Sequence, residues 1–404
     1  MDTTSLRTWR NAVEADLTGN ILPFWKKLET ADGYLGGLKN DLTPLADFPI
    51  GLIMVARLLW TYSRAHRLRG DMTYLESATR AYLYLLDHFE DKEHGGFYWM
   101  LDPAGRPLET KKQTYGQAFM IYGMSEYFMA TGDTDSLKRA MALFDLLEQK
   151  TWNSESGGYW EAYGREWQLL EDVRLSDKDI NAPLTMNTHL HVMEAYANLL
   201  LANRTPEVEA ACRKVVRVAT DRIIRPSGDR FGLFYSKDWE LINEEISPGH
   251  DIEGSWLLWE TAEIIDDPNL LEQVRSITLA MAEHVFQVGI DTDGGIISEF
   301  APGHSPRLGK CWWPQSEAVI GFLNAYQLSG DSKFMDASLN AWQHIVDKFI
   351  DHENGEWFSE YTLDGQLTDL EKAGPWKSSY HNGRMGFEVV ERLGKLVSNS
   401  GHLC

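Results

Sequence analysis

The feature that most restricts the fold is a recurrence. Short glycine–aromatic blocks return six times: Gly36-Gly37-Leu38, Gly95-Gly96-Phe97-Tyr98, Gly157-Gly158-Tyr159-Trp160, Phe231-Gly232-Leu233-Phe234, Gly294-Gly295-Ile296 and Gly355-Glu356-Trp357-Phe358. The steps between them are 59, 62, 74, 63 and 61 residues. Acidic and polar turn residues precede several of them, as in DKEHGG, DTDGG and DHENG, so each block reads as a tight reversal followed by a short extended piece. A period of this length across a whole chain marks a supersecondary unit that buries its apolar face only by stacking on its neighbours.

Two kinds of helical pattern lie between the blocks. One kind is rich in charge and begins at Asp or Thr-Pro, as in Asp133–Lys150, Thr205–Ile223, Asp267–Val288 and Asp331–Phe349. These segments have N-caps and one solvated face. The other kind is apolar nearly all round: PIGLIMVARLLWTYSRAH, QTYGQAFMIYGMSEYFMATG, MNTHLHVMEAYANLLLAN, GHDIEGSWLLWETAEII, WWPQSEAVIGFLNAYQLSG and YHNGRMGFEVVERLGKLV. Six apolar helices alternating with more polar ones predict a closed double ring, the all-α (α/α)6 barrel, with short β-hairpin-like loops. No linker or low-complexity tract divides the sequence, which predicts one domain over residues 1–404, with residues 1–30 as the first outer-helix region.

Composition narrows the partners. Hydrophobic residues make up 43% and charged residues 24%, as in ordinary folded proteins. The net charge of −22 repels phosphate backbones and anionic lipid, which argues against nucleic-acid and membrane partners. Cys212, Cys311 and Cys404 are odd in number and widely spaced, with no CxxC, which fits a reducing compartment. The N-terminus has no apolar targeting core, and the most apolar stretch, Pro49 to Trp60, is broken by Arg57. A cytoplasmic protein is therefore expected. The 15 Trp, 16 Tyr and 16 Phe suit a large core, and also a sugar pocket, where C–H faces pack on aromatic planes.

Histidine placement carries the chemistry. Two inner helices open with a histidine and a hydrogen-bonding companion, Gly249-His250-Asp251-Ile252-Glu253 and Tyr380-His381-Asn382, and a third carries Asn187, His189 and His191. Imidazole takes and returns a proton near neutral pH. Two such groups across one cavity can act on opposite faces of a carbon beside a carbonyl. Asn187 and His191, four apart, share a helix face. His189, about 200° round from the axis-facing side, reads as structural. Glu253, three residues after His250, could orient that ring. Arg57, alone in an apolar helix, needs acceptors: it either clamps a protein carboxylate or steadies a developing enediolate oxygen. Tyr115 could donate to a hydroxyl or pack, and Trp313 and Trp376 are stacking candidates. His-x-x-Glu could offer two metal ligands, but no HExxH or Cys pair joins it. Nucleotide-binding and serine-elbow motifs are absent from the sequence. No cofactor and no metal are expected.

The segments MNTHLHVMEAY, GHDIEGSWLLWE, WWPQSEAVIGFLNAYQ, KQTYGQAFMIYGMSEY and GPWKSSYHNGR resemble the cellobiose 2-epimerase branch of the N-acylglucosamine 2-epimerase superfamily. The resemblance runs from Ile21 to Arg384. It implies an (α/α)6 barrel that interconverts glucose and mannose configuration at C2 of a reducing-end sugar without a redox cofactor. It also implies that His250 and His381 are the acid/base pair, with His191 as a third essential histidine and Asn187 beside it. By the same resemblance Arg57 binds near the reacting oxygens, Tyr115 and Glu253 make supporting contacts, Trp313 and Trp376 stack, and Asp179 falls in the loop that can touch a second sugar. Ser378-Ser379 replace the Cys-Pro of the usual GFWKCPYHNSR pattern, in the loop bordering the outer subsite. The expected substrate is a β-1,4-linked disaccharide such as cellobiose or lactose, handled by a monomer or weak homodimer. The alternatives are a mannose 2-epimerase or aldose–ketose isomerase, an inverting glycoside hydrolase using Glu253 and Glu317, and a non-catalytic sugar-binding or protein-interaction module.

Overall fold

Every apolar stretch forms a helix, and a left-handed residue ends four of the six. In the computed structural model, which describes residues 1–177, 179–301, 303 and 309–400, the inner helices are Leu52–Arg69, Thr114–Thr131, Met186–Ala202, Pro248–Ile265, Trp312–Ser329 and Tyr380–Ser400. Cys404 lies outside the described residues. The outer helices are Thr3–Asp16, Met72–Tyr84, Thr134–Lys150, Pro206–Val218, Pro268–Val288 and Ser332–His344. Gly70, Gly132 and Gly330 close three inner helices with left-handed backbone, and Asp266 does so at a fourth. The residue that follows each of them, Asp71, Asp133, Asp267 or Asp331, caps the next outer helix by accepting a backbone N–H. Such a short connection makes successive helices antiparallel neighbours.

Each inner helix packs on the next, and the sixth returns to the first. The N-terminal outer helix completes the outer layer against the sixth inner helix. Ring closure explains why the inner helices are buried on every side: Thr114 to Tyr127 is a continuous buried run. No described helix is long and apolar enough to cross a membrane.

The recurring blocks have a mechanical cause. Outer helices lead into antiparallel hairpins, with bridges Glu90 to Phe97, Ile224 to Phe231, Ile290 to Ile296 and Ile350 to Trp357, and a two-residue ladder joining Trp152–Asn153 to Gly158–Tyr159. The fourth residue of the following inner helix grips the hairpin. Gln117 accepts from Phe97 N (2.8 Å), His189 from Tyr159 N (2.9 Å), Asp251 from Phe231 N (2.8 Å) and Gln315 from Ile296 N (2.7 Å). A Cβ on Gly96 would lie 2.9 Å from Gln117 Oε1, so that grip requires glycine there. The first block is different. Its hairpin turns earlier, at the bridge between Glu29 and Tyr34, and Leu38 N instead donates to Ala373 O (2.9 Å), joining the first repeat to the last. Gly36 is needed for that passage, because a Cβ would sit 2.2 Å from Phe48 O.

Candidate active site

Helix register delivers the polar residues of six different helices to one place. At the N-terminal end of the inner ring lies a cavity of about 500 Å³, within the usual range for small-ligand sites. All ten residues that the resemblance assigns to the site line it: Arg57, Tyr115, Asp179, Asn187, His191, His250, Glu253, Trp313, Trp376 and His381. A second lobe of about 560 Å³ shares Asp179, Asn187 and His250 with it.

The three cavity histidines have the same posture. His250 Nδ1 lies 2.7 Å from Ser247 Oγ, which donates its own proton to Glu299 Oε1 at 3.1 Å. His381 Nδ1 lies 2.7 Å from Glu317 Oε1, and His191 Nδ1 lies 3.0 Å from Glu194 Oε2. A carboxylate, or a hydroxyl whose proton is committed elsewhere, can only accept, so each Nδ1 carries the proton. In the neutral ring that tautomer leaves Nε2 with a lone pair. Trp313 packs on both His250 and His381, with ring centroids 4.6 Å and 5.4 Å away. The two imidazoles are therefore no farther apart than the sum of those distances. Burial pushes His250 down to about 3. Burial also holds His381 well below the ordinary imidazole value, aided by Arg57 and Arg384. Both rings rest neutral, as bases should.

Beneath the histidines, one guanidinium gathers three carboxylates. Arg384 donates through Nη2 to Glu253 Oε1 (2.6 Å) and Glu317 Oε1 (2.7 Å), and through Nη1 to Glu194 and to the Tyr380 hydroxyl. Burial alone would raise all three acids. Against that burial, Arg384 and the His191 and Tyr380 hydrogen bonds hold Glu194 down to about 2. Glu253, buried and facing Glu317, is pushed up to about 7 despite Arg384. Burial raises Glu317 as well, despite Arg384, whereas Glu194 stays charged behind His191.

Arg57 resolves the choice left open in the sequence. It is buried between the faces of Phe119 and Tyr380, at 4.5 Å and 4.6 Å. It donates to the Tyr115 hydroxyl (2.9 Å) and to Trp376 O (3.3 Å), its Nε has no partner, and no carboxylate among the described residues forms an ion pair with it. A desolvated guanidinium with spare donors on a cavity wall is suited to a ligand oxygen that gains negative charge.

Several expectations need correction. Glu253 does not orient His250: the i+3 offset turns it toward the axis, where it meets Arg384 and lies 3.8 Å from His381 Nδ1. Ser247 holds His250 instead. Asn382 is no companion of His381, because its Nδ2 donates to Glu356 Oε1 at 2.6 Å. His189, by contrast, is structural as its place on the helix predicted: Nδ1 meets Thr185 O at 2.7 Å and Nε2 accepts from Tyr159 N. Ser378 and Ser379 are fully buried and absent from the cavity lining, with Ser379 Oγ bonded to Thr61. Trp376 stands at the mouth, 37% exposed and edge-on to Trp99. Glu194, Ser247, Glu299 and Arg384 were not recognised as site residues. His191-x-x-Glu194 and Tyr380-x-x-x-Arg384 were readable as same-face pairs, whereas no local signal joins Glu299 to Ser247, 52 residues away.

The geometry limits other chemistries. Glu253, Glu317 and His381 bring ligand atoms within 4.8 Å of one another. Arg384 already bonds both of those carboxylates, so a cation there would have to compete with it. The same closeness is too short for an inverting hydrolase, whose two carboxyls stand about 6.5–9.5 Å apart.

The chain matches the N-acylglucosamine 2-epimerase (GlcNAc 2-epimerase) family over residues 33–383. It is 39% identical to a cellobiose 2-epimerase of Bacteroides fragilis, covering 94% of this chain and 98% of that one. The fold superposes on a cellobiose 2-epimerase from Bacillus thermoamylovorans with TM-score 0.91 and 34% identity, covering 96% of this chain and 100% of that one. A D-mannose isomerase, at 20% identity and TM-score 0.81 over 95% and 97% of the two chains, shares the fold. This chain belongs to the N-acylglucosamine 2-epimerase family, an isomerase class of carbohydrate epimerases.

Proposed function

We propose that the protein is a cellobiose 2-epimerase, which interconverts glucose and mannose configuration at C2 of the reducing-end residue of a β-1,4-linked disaccharide. The observation that carries the reading is the pair His250 and His381. Both pack on Trp313 and both have Nδ1 tied back. Resemblance at 39% identity to a cellobiose 2-epimerase supports the disaccharide.

Once the ring has opened to the aldehyde, one imidazole takes the C2 proton through Nε2. The C–H electron pair moves into a C1–C2 double bond, and the carbonyl oxygen becomes anionic, giving a cis-enediolate. Arg57 faces that charge, and the converging inner-helix N-termini add their positive dipole ends. A negative charge inside the cavity reverses the bias that keeps imidazoles neutral, so the opposite ring takes up a proton from solvent, and the first ring gives its proton to solvent before the next turnover. That ring, on the opposite face of C2, delivers its proton there as the C1–C2 electron pair forms the new C–H bond and the aldehyde returns.

The test is incubation with cellobiose, lactose, glucose and mannose in D2O, followed by product analysis. Cellobiose should give glucosyl-mannose carrying deuterium at C2. Product without deuterium contradicts proton exchange through the histidines. A ketose as main product indicates isomerisation, and release of two monosaccharides indicates hydrolysis.

A further inference from the structure

The sixth hairpin differs in one informative residue from its counterpart in the second repeat. Asp91 to Phe97 (DKEHGGF) and Asp351 to Trp357 (DHENGEW) fold alike. Gly95 N donates to Asp91 O (2.8 Å) as Gly355 N does to Asp351 O (2.9 Å). Asp91 N donates to Gly96 O (2.9 Å) as Asp351 N does to Glu356 O (2.8 Å). In both hairpins a buried lysine 21 residues on, Lys112 or Lys372, pairs with the aspartate. Both turns need two successive left-handed residues. The second repeat supplies Gly95 (φ 74°) and Gly96 (φ 74°), whereas the sixth supplies Gly355 (φ 82°) and Glu356 (φ 62°). An L side chain in that region is strained, and persists where surrounding structure holds it.

The Glu356 carboxylate shows what holds it. It is wholly buried and accepts from Trp25 Nε1 (2.9 Å), Lys377 Nζ (3.0 Å) and Asn382 Nδ2 (2.6 Å). Lys377 and Asn382 lie near the two ends of the seven-residue stretch Trp376–Asn382, which contains His381 and whose Trp376 carbonyl receives Arg57. Lys377 also donates to Trp357 O (2.9 Å) and lies 4.7 Å from the Trp312 ring. One strained residue therefore fixes both flanks of the segment that brings Trp376 and His381 to the cavity.

We propose that Glu356 is a positioning residue for the epimerisation, setting His381 and the Trp376 carbonyl against Trp313 and Arg57. The proposal rests on the reading that this cavity epimerises sugars. Displacing a reacting group by about 1 Å can cost about 10²-fold. Steady-state kinetics on cellobiose and thermal melts are compared for wild type, Glu356→Gly and Glu356→Gln. The glycine variant, which relieves the backbone but frees Lys377 and Asn382, should lose about 10–100-fold in kcat while remaining folded. Glutamine, which still offers an acceptor to Asn382, should restore kcat to within about fivefold of wild type. If burying an unpaired Lys377 prevents folding, Glu356→Gly/Lys377→Met leaves no buried charge and replaces it. A folded glycine or double variant with wild-type kcat overturns the proposal. So does a glutamine variant as impaired as glycine, and so does failure of both glycine variants to fold, since the contacts would then serve the fold alone. A wild-type protein that turns over no aldose defeats the functional reading instead, before any variant is compared.

Discussion

Alanine at His250 or at His381 lowers kcat on cellobiose by about 10²–10⁴-fold, the range for loss of a positioned acid or base, and leaves the helical fold intact. Both side chains line the cavity rather than fill the core, so their loss opens no interior void. The sugar contacts expected of Trp313, Trp376 and Arg57 remain, so KM should change far less than kcat. Because the two rings serve one proton-transfer cycle, removing both should cost little more than removing one. Stopped-assay kinetics with circular dichroism of each purified variant decides the matter. Wild-type kcat in either single variant removes that histidine from the mechanism.

The second large effect concerns Arg384. Replacing it with methionine leaves Glu194, Glu253 and Glu317 buried without their shared guanidinium. Breaking a buried ion pair from one side costs about 3–5 kcal/mol, and part of that cost is avoided only if the carboxylates take up protons. Protonation of Glu194 or Glu317 removes the acceptor that keeps Nδ1 of His191 or His381 protonated. Stability and turnover should therefore fall together. Lysine keeps the charge but concentrates its donors on one atom and cannot reproduce the planar fork that spans the three carboxylates, so it should recover part of the stability and little of kcat. Denaturant unfolding of both variants measures the first effect, and kinetics the second. An Arg384→Met protein as stable and as active as wild type would remove Arg384 from the account.

What the sequence disclosed, and what it hid, divides along one physical line. Spacing within a helix determines which side chains share a face, so Asn187 with His191, and the outward setting of His189, followed from 3.6-residue geometry. The 60-residue period disclosed the ring, because a unit that buries its face only against neighbours must repeat. Polar residues at the starts of apolar helices stood out for the same reason. Partners across the ring were hidden, because they depend on how helices far apart in sequence are rotated once it closes. Glu317 reaches His381 over 64 residues, and Arg384 reaches Glu194 over 190. His-x-x-Glu at 250–253 looked local, and the pairing was wrong, because Arg384 offered Glu253 a charge that His250 did not. The first glycine pair, at 36–37, matched the period but serves ring closure at Ala373 rather than a hairpin turn.

The central claim is that two imidazoles address one stereocentre from opposite faces, and exchange in the crippled variants tests it most directly. His250→Ala and His381→Ala are each incubated in D2O with cellobiose and, separately, with glucosyl-mannose, and loss of the C2 proton signal is followed by NMR. Each variant retains one base, which can remove and return a proton only on its own face. One variant should therefore wash out C2–H from the glucose-configured sugar alone, and the other from the mannose-configured sugar alone. Exchange of both epimers by the same variant, or of the same epimer by both, contradicts the account.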